Sequence, residues 1–216
     1  MPRVSHEYEQ TQKKRIIEGS AKVFAEYGYR QTTMDKICQT LKISKGAVYI
    51  YFKNKEELFV STMDFIFQRR YDLLSSAFEQ TDPLPVKFEK IFNCLGNLVS
   101  SDDNYTYTRL SVEGFLESDR IPNLQLVKAD SYNRFYKLLY DLLTQGQATE
   151  QINTKLDISS MIVVMMATLD GFMMHSLVQG RELDPERIQK VVLEIFSQAL
   201  NFSLQIQREY VNKDVR

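Results

Sequence analysis

Cysteine and histidine are scarce in this sequence, which excludes several kinds of site. The 216 residues include two cysteines and two histidines. Cys38 and Cys94 form no C-x-x-C pair, and His6 and His175 stand apart, so neither a disulfide framework nor the ligand spacing of a zinc site is present. We interpret both cysteines as small buried apolar residues rather than a redox pair. No metal and no cofactor are expected.

The motifs of common enzymes are also missing. The sequence has no G-x-S-x-G, H-E-x-x-H, P-loop or dinucleotide-binding glycine pattern. This argues against most metal-dependent and nucleophilic enzymes, and we expect a protein that is not an enzyme. A helical enzyme or small-molecule carrier without these motifs is an alternative class.

Long apolar runs are absent as well. The longest uncharged run covers residues 195–207 and ends at Arg208, well short of the roughly 18 apolar residues of a membrane span. The first residues, MPRVSHEYEQTQKKR, have no apolar core of a secretory signal. An apolar fraction of 44% is enough for a real core. We expect a soluble, cytoplasmic protein with no membrane partner.

The small net charge of −1 conceals an asymmetry along the chain. Residues 1–53 contain ten Lys/Arg and five Asp/Glu, whereas the remainder contains seventeen and twenty-three. The net charges of the two parts are therefore +5 and −6. Such a division indicates an N-terminal region that meets a polyanion and a body that does not.

Apolar residues recur at helical spacing and nothing reads convincingly as a strand, so the sequence predicts an all-α fold of about nine helices. Gly28 is placed to end the first helix, and a fourth helix is predicted from the N-cap Asn54 to about Glu79. Breaks in the body delimit about five further helices. We expect a helix-turn-helix domain over residues 10–70 and a second helical domain over residues 71–216.

Two short helices precede Asn54 and predict a helix-turn-helix over about residues 33–52. The second helix begins at Thr32 or Thr33, and Ser44 is a good N-cap for a third helix that contains Lys45 to Tyr51. Val48 and Phe52, four residues apart, are assigned to the core beneath the third helix. The third helix is the element best suited to enter the major groove of DNA, which accommodates one helix.

Residues 15–59 resemble the tetracycline-repressor (TetR) family of bacterial transcriptional regulators. The signposts of that family occur in order: Phe24 and Gly28, Thr32-Thr33, Ser44-Lys45-Gly46, Tyr49-x-Tyr51-Phe52 and Lys55-Glu56-Glu57-Leu58. The remaining residues resemble the family in length, helical pattern and an Asp170-Gly171 pair. Lys42 departs from the family, which usually has glycine there, and a positive φ at lysine would cost roughly 1 to 2 kcal/mol.

The resemblance implies which residues bind double-stranded DNA. It places Lys45, Gly46, Ala47 and Tyr49 at the major groove. Four further residues match positions that hold phosphates in the family, where contacts set register without reading sequence: Thr33, Ser44, Tyr51 and Lys55.

One reading helix contacts too few base pairs for genomic specificity, so a homodimer on a palindromic operator is expected. From Ile188 to Ile206 the last helix carries apolar residues at steps of four, three, four, three and four, a seam suited to pairing with another helix. A plain intramolecular core explains the same spacing. The predicted interface residues are Ile188, Val192, Ile195, Ala199 and Phe202.

In members of the family the second domain encloses a pocket for a small-molecule effector. The body of this chain is rich in aromatic residues and methionines, which suit a mostly apolar ligand with a few polar atoms. No pair of charges indicates a particular ligand. The predicted pocket residues are Phe92, Tyr107, Phe115, Tyr136, Met166, Asp170 and Met173.

The expected function is that of a repressor that leaves its operator when the effector favours a different spacing of the two heads. Activation by the same fold is an alternative on which the sequence says nothing. A helical module whose basic head contacts an acidic protein is another alternative, and preference for a palindrome would distinguish it from a DNA-binding protein.

Overall fold

The computed structural model describes residues 6–100, 102–179 and 184–201, and these residues form helices and connecting turns with no strand. The all-α prediction is confirmed, and nine helices follow one another in the described ranges. Their bounds are α1 His6–Gln31, α2 Met34–Leu41, α3 Lys45–Tyr49, α4 Lys55–Ser75, α5 Leu84–Ser100, α6 Asp102–Glu117, α7 Pro122–Ala148, α8 Ile158–Gln179 and α9 Pro185–Leu200.

The ends of the first helices follow the residues that the sequence marks. Gly28 has a φ of 77° and interrupts the helical backbone of α1 three residues before its end. Thr33 is the N-cap of α2, and its side chain accepts a hydrogen bond from the Lys36 amide. Lys42 ends α2 in the left-handed region, with φ 54° and ψ 46°. The turn between α2 and α3 therefore has the conformation that usually calls for glycine.

Helix α4 connects the N-terminal head, formed by α1 to α3, to the body. Its N-cap Asn54 accepts a hydrogen bond from the Glu57 amide at 2.8 Å, and the Glu57 carboxylate accepts one from the Lys53 amide at 2.8 Å. The helix ends at Ser75, four residues before the predicted Glu79. Beyond it the Glu79 amide donates to the Asp82 carboxylate at 2.8 Å and not to a helical carbonyl, so the chain turns before the predicted end.

Two apolar cores lie along this connection. The first is built on Phe24, Val48 and Phe52 of the head and Phe59 of α4, and it also includes Leu110 of α6. The second lies in the body, between α5, α7, α8 and α9. Because the first core includes residues of both predicted domains, the head is packed directly on the body. The boundary near residue 70 stays a prediction.

Helix α8 is apolar around most of its circumference, a pattern that predicts a helix buried on two sides. Residues Ile158–Val178 have a mean hydropathy of 1.7, so by length and composition the segment could cross a membrane, and only 17% of its most apolar window is buried in the chain. The uncharged run is broken at Asp170, which is why run length alone passed over this helix. One such helix is weak evidence for a membrane protein, because a helix that packs in a soluble core has the same composition.

Candidate DNA-binding surface and ligand cavity

One face of the third helix packs against the first core, and the opposite face is exposed. Ser44 begins it by accepting a hydrogen bond from the Ala47 amide at 3.2 Å. Val48 is fully buried and Phe52 almost so, as the sequence predicts. These two anchors fix the direction in which the opposite face of α3 points.

The open face of α3 carries the residues predicted for the major groove. Lys45 and Gly46 are exposed, Ala47 is half-buried and the Tyr49 side chain is 48% exposed. A Cβ atom placed on Gly46 would have no atom within 4 Å. Packing within the protein therefore does not require glycine at this position, whereas close approach to another molecule would.

Lys45 has a partner that was not expected. Its ammonium lies 2.7 Å from the Asp35 carboxylate at the start of α2, and this hydrogen bond raises the pKa of Lys45 above its usual value. Both side chains are exposed, and exposed ion pairs contribute little to stability. A phosphate or guanine could therefore take the place of Asp35 at little cost.

Two of the four residues predicted to hold phosphates are N-caps of helices, and the other two contact the core or the backbone of the head. Thr33 and Ser44 are the N-caps of α2 and α3, so both lie where helix amides favour an anion. Tyr51 is half-buried against the first core. Lys55 donates to the carbonyls of Tyr29 and Arg30 at 2.8 and 3.4 Å. Its ammonium also lies 4.3 Å from the centre of the Tyr29 ring, and burial lowers its pKa.

Helix α6 reaches the same end of α1. The Tyr29 amide donates to Glu113 at 2.6 Å, and the Arg30 guanidinium lies 2.7 Å from Glu117. A Cβ atom on Gly28 would lie 2.9 Å from the Glu113 carboxylate. We call this contact between α1, α4 and α6 the α6 junction. Its hydrogen bonds and ion pair join the head to a helix of the body. These contacts therefore depend on the relative position of the head and the body.

A cavity of about 420 Å³ lies in the body between α4, α5, α6, α7 and α8. Four of the seven residues predicted for a pocket line it: Phe115, Met166, Asp170 and Met173. Its walls are otherwise mostly apolar and include Phe67, Leu74, Phe135 and Leu139. The volume lies in the range of about 300 to 1,000 Å³ that is typical of small-molecule sites.

The structure places the other three predicted pocket residues elsewhere. Phe92 is buried and stacks on Phe196 at 5.4 Å, so it belongs to the core between α5 and α9. Tyr107 is buried in the first core. Tyr136 donates to the Ser159 hydroxyl at 3.1 Å and stacks between two other tyrosines of α7. Aromatic composition alone did not separate core from cavity.

Sequence reasoning missed Arg70, which lines the cavity and is only 9% exposed. A signal was present in the sequence. The buried residues Phe59, Met63, Ile66 and Leu74 follow one stripe of α4, and Arg70 occupies the remaining position of that stripe, four residues before Leu74. A charged residue inside an apolar stripe indicates either a buried pair or a binding site.

The predicted interface residues divide between two faces of α9. Ile195 is 57% exposed and Ala199 is also exposed, whereas Ile188 and Val192 are half-buried. Phe202 lies outside the described residues. The inner face of α9 is formed by Leu193, Phe196 and Leu200, which are buried in the second core. The predicted seam thus runs beside the core-facing stripe, and Ile195 and Ala199 lie on what we call the outer face of α9.

A helix-turn-helix head with an exposed third helix, packed on a helical body that contains a cavity, defines a DNA-binding transcriptional regulator. Residues 16–62 match the model of the bacterial regulatory proteins of the tetR family, and residues 94–201 match that of the C-terminal part of BetI-type transcriptional repressors. The chain belongs to the TetR family of transcriptional regulators.

Similar proteins include the fatty acid metabolism regulator protein of Bacillus subtilis. It is 26% identical over 187 residues, which cover 83% of this chain and 91% of that protein. An uncharacterized regulator of the same organism is 49% identical over 47 residues, covering 22% of this chain and 25% of that protein. The solved structure of FadR from Bacillus subtilis in complex with stearoyl-CoA has a TM-score of 0.70 at 19% identity and covers 86% of this chain and 98% of its own.

Proposed function

We propose that this regulator is a cytoplasmic homodimeric repressor that binds a palindromic operator and is released by a small, mostly apolar effector. The observation that carries the proposal is the open face of α3, where a Cβ on Gly46 would meet no atom within 4 Å and Tyr49 is 48% exposed, in the part of the chain, residues 1–53, that has a net charge of +5. A face with this shape and charge suits the major groove, with Lys45 and Tyr49 reaching base edges or the backbone.

The homodimer is supported by apolar surface that the single chain leaves open. On α8, Val163, Val164 and Val178 are exposed, and on α9 so are Val191 and Ile195. Large apolar side chains exposed on neighbouring elements of a soluble protein mark a candidate interaction site. We assign it to pairing of α8 and α9 with the same helices of a second subunit, which would set the two heads at the spacing of two operator half-sites.

Release by an effector is supported by the path of α4. Its residues Phe67, Arg70 and Leu74 line the cavity, and its first residue, Lys55, is bonded to the end of α1 in the head. Because α4 begins at Lys55, soon after α3 ends at Tyr49, a ligand that displaces the far end of α4 would shift α3 as well. The relative crystallised with stearoyl-CoA supports a ligand site in this fold. The ligand acts only through its different affinities for the two conformations.

The test is selection of sheared genomic DNA on the purified full chain at about 0.15 M salt, where sequence-blind electrostatic binding is weakened. We expect enrichment of a few fragments that share an inverted repeat. Equal recovery of all fragments by protein stripped of bound ligand would overturn the proposal. Once an effector is known, operator DNA should weaken its binding by the same factor by which the effector weakens operator binding.

A further inference from the structure

The wall of the cavity contains Arg70, a buried cation with few hydrogen-bond partners. A guanidinium group has five N–H donors. Among the residues that the structure describes, Thr108 is the one hydrogen-bond partner of the Arg70 side chain, with Nη2 donating to Oγ1 at 3.2 Å. Arg70 is nonetheless 9% exposed and borders the cavity. Most of its donors are therefore left to whatever occupies the cavity.

The charges around the cavity do not balance. Among its described lining residues, Arg70 and Lys128 are cationic and Asp170 is anionic. No ion pair within 4.0 Å joins Asp170 to Arg70 in the described part of the chain. Lys128 lies 2.8 Å from the Ser118 hydroxyl and 5.3 Å from the centre of the Phe115 ring. The surroundings therefore have an excess of one positive charge.

The pKa values of Arg70 and Asp170 agree with this excess of positive charge. Burial lowers the pKa of Arg70 to about 10, against the opposing influence of Asp170. Arg70 thus remains charged at neutral pH. Burial raises the pKa of Asp170, and the charge of Arg70 partly reverses that effect. A cation that is removed from water without a close anion is costly, and a ligand that brought the anion would relieve that cost.

The other residues that line the cavity indicate which kind of ligand carries the anionic group. Phe67, Leu74, Phe135, Leu139 and Met166 give the cavity an apolar body next to the guanidinium. A neutral apolar ligand would fill this space and leave Arg70 unpaired. A cationic ligand would meet Arg70 and Lys128. A ligand with one compact anionic group on an apolar body satisfies both parts of the wall.

We infer that the effector is an anionic amphiphile whose carboxylate pairs with the Arg70 guanidinium and whose apolar body lies among the side chains of α4, α7 and α8. The inference rests on the proposed function of the cavity as the effector site, and it names the ligand class. A carboxylate matches the planar fork of arginine in a two-bond arrangement that no alcohol or amine reproduces. Because Arg70 belongs to α4, that pairing acts directly on the helix that leads to the head.

The test uses three probes with the same alkyl chain: decanoate, decan-1-ol and decylammonium. Their binding to the purified full chain, without DNA and below the concentrations at which they form micelles, is measured by isothermal titration calorimetry. We expect decanoate to bind about 10- to 100-fold more tightly than decan-1-ol, the factor associated with hydrogen bonds to a charged group. Decylammonium should bind most weakly of the three.

Three variants locate the effect. Arg70→Met should bring the affinity ratio of decanoate to decan-1-ol to about one, while Arg70→Lys should keep part of the preference. Arg69→Met is the matched control, because Arg69 is the exposed neighbour on the same helix and does not line the cavity. It should keep the full preference. The thermal unfolding midpoint of each variant establishes that the chain is folded when the probes are added.

Several results would overturn the inference. They are equal affinities of decanoate and decan-1-ol in the unaltered protein, tightest binding of decylammonium, no binding of any probe, or the same loss of preference in the Arg69 and Arg70 variants. Since these measurements contain no DNA, they reject the ligand class and leave the DNA-binding function standing. Failure of the genomic selection would instead reject the proposed function, whatever the cavity binds.

Discussion

Lys42 holds a backbone conformation that costs an ordinary side chain free energy. Its φ of 54° lies in the left-handed region, which disfavours residues with a Cβ by roughly 1 to 2 kcal/mol. Part of the gain from glycine is lost to the greater freedom of the unfolded chain. We predict that Lys42→Gly raises the free energy of unfolding by about 1 kcal/mol, measured by urea denaturation.

Gln39→Gly, three residues earlier, is the control. Gln39 is an exposed helical residue of α2, and glycine there should lower the free energy of unfolding by about 1 kcal/mol. Opposite signs at the two positions would support the strained turn. Destabilisation at both would show that Lys42 does not adopt this conformation in solution.

Gly46 separates the needs of folding from those of DNA binding. A methyl group there meets no atom of the protein, so Gly46→Ala should leave stability unchanged or raise it by up to about 1 kcal/mol. If the backbone of α3 lies against DNA, the same methyl group should weaken operator binding by about tenfold or more. Fluorescence anisotropy on the selected operator measures the affinity.

A fall in affinity together with a fall in the unfolding midpoint would point to a folding defect instead of a clash at the groove. Unchanged affinity would remove Gly46 from the DNA-binding surface. The midpoint and the affinity therefore have to be measured on the same preparation.

At the scale of residues, the sequence predicted what depends on neighbours in the chain. The caps Thr33, Ser44 and Asn54 could be recognised because an N-cap bonds to an amide two or three residues later. The role of Lys55 could not, since its carbonyl partners are Tyr29 and Arg30, which only folding brings near. Arg70 interrupts an apolar stripe of α4, which marks it in the sequence, but the cavity that it borders is made by five helices and appears only on folding.

At the scale of elements, α1, α4 and α6 are joined by hydrogen bonds at the α6 junction. Removal of one of these bonds should lower the free energy of unfolding. Glu113→Ala would leave the half-buried Tyr29 amide without its acceptor, and we predict a loss of about 1 to 3 kcal/mol in the free energy of unfolding. Glu113→Gln keeps an acceptor oxygen and should lose less. Urea denaturation of both variants gives the comparison.

Equal losses in the two variants would mean that the charge of Glu113 matters and the hydrogen bond does not. No loss in either would mean that the contact between α6 and α1 contributes nothing to stability. Only a larger loss in the alanine variant agrees with the observed distance of 2.6 Å between the Tyr29 amide and the carboxylate.

Helix existence was easier to predict than helix function. The helical spacing and the turn residues predicted about nine helices and the helix-turn-helix, and both are confirmed in the part of the chain that the structure describes. The division of α9 into an inner and an outer face was not resolved, because its apolar residues occupy adjacent stripes. Leu193, Phe196 and Leu200 reach the core while Ile195 and Ala199 do not, and that choice depends on how α9 lies on α5.

At the scale of the whole molecule, the proposed homodimer depends on the outer face of α9. Ile195 is 57% exposed there, so Ile195→Glu should be tolerated by the single chain while placing an unpaired charge in the interface. We predict a folded monomer with much weaker operator binding. Sedimentation equilibrium gives the mass, and circular dichroism shows whether the helices are retained.

Leu126→Glu is the matched control, because Leu126 is 69% exposed on α7. It should leave the mass of a dimer unchanged. A dimer in both variants would place the interface elsewhere, and a monomer in both would mean that added charge, and not its position, separates the subunits.

The outer face of α9 and the open face of α3 lie in different parts of the chain, so damage to one need not affect the other. In the proposed homodimer, a subunit with a defective α3 would still pair with other subunits. In a cell that also makes the normal subunit, such a chain would draw normal subunits into mixed pairs with a single working head. Mutations in α3 should therefore be genetically dominant, and mutations in the outer face of α9 recessive.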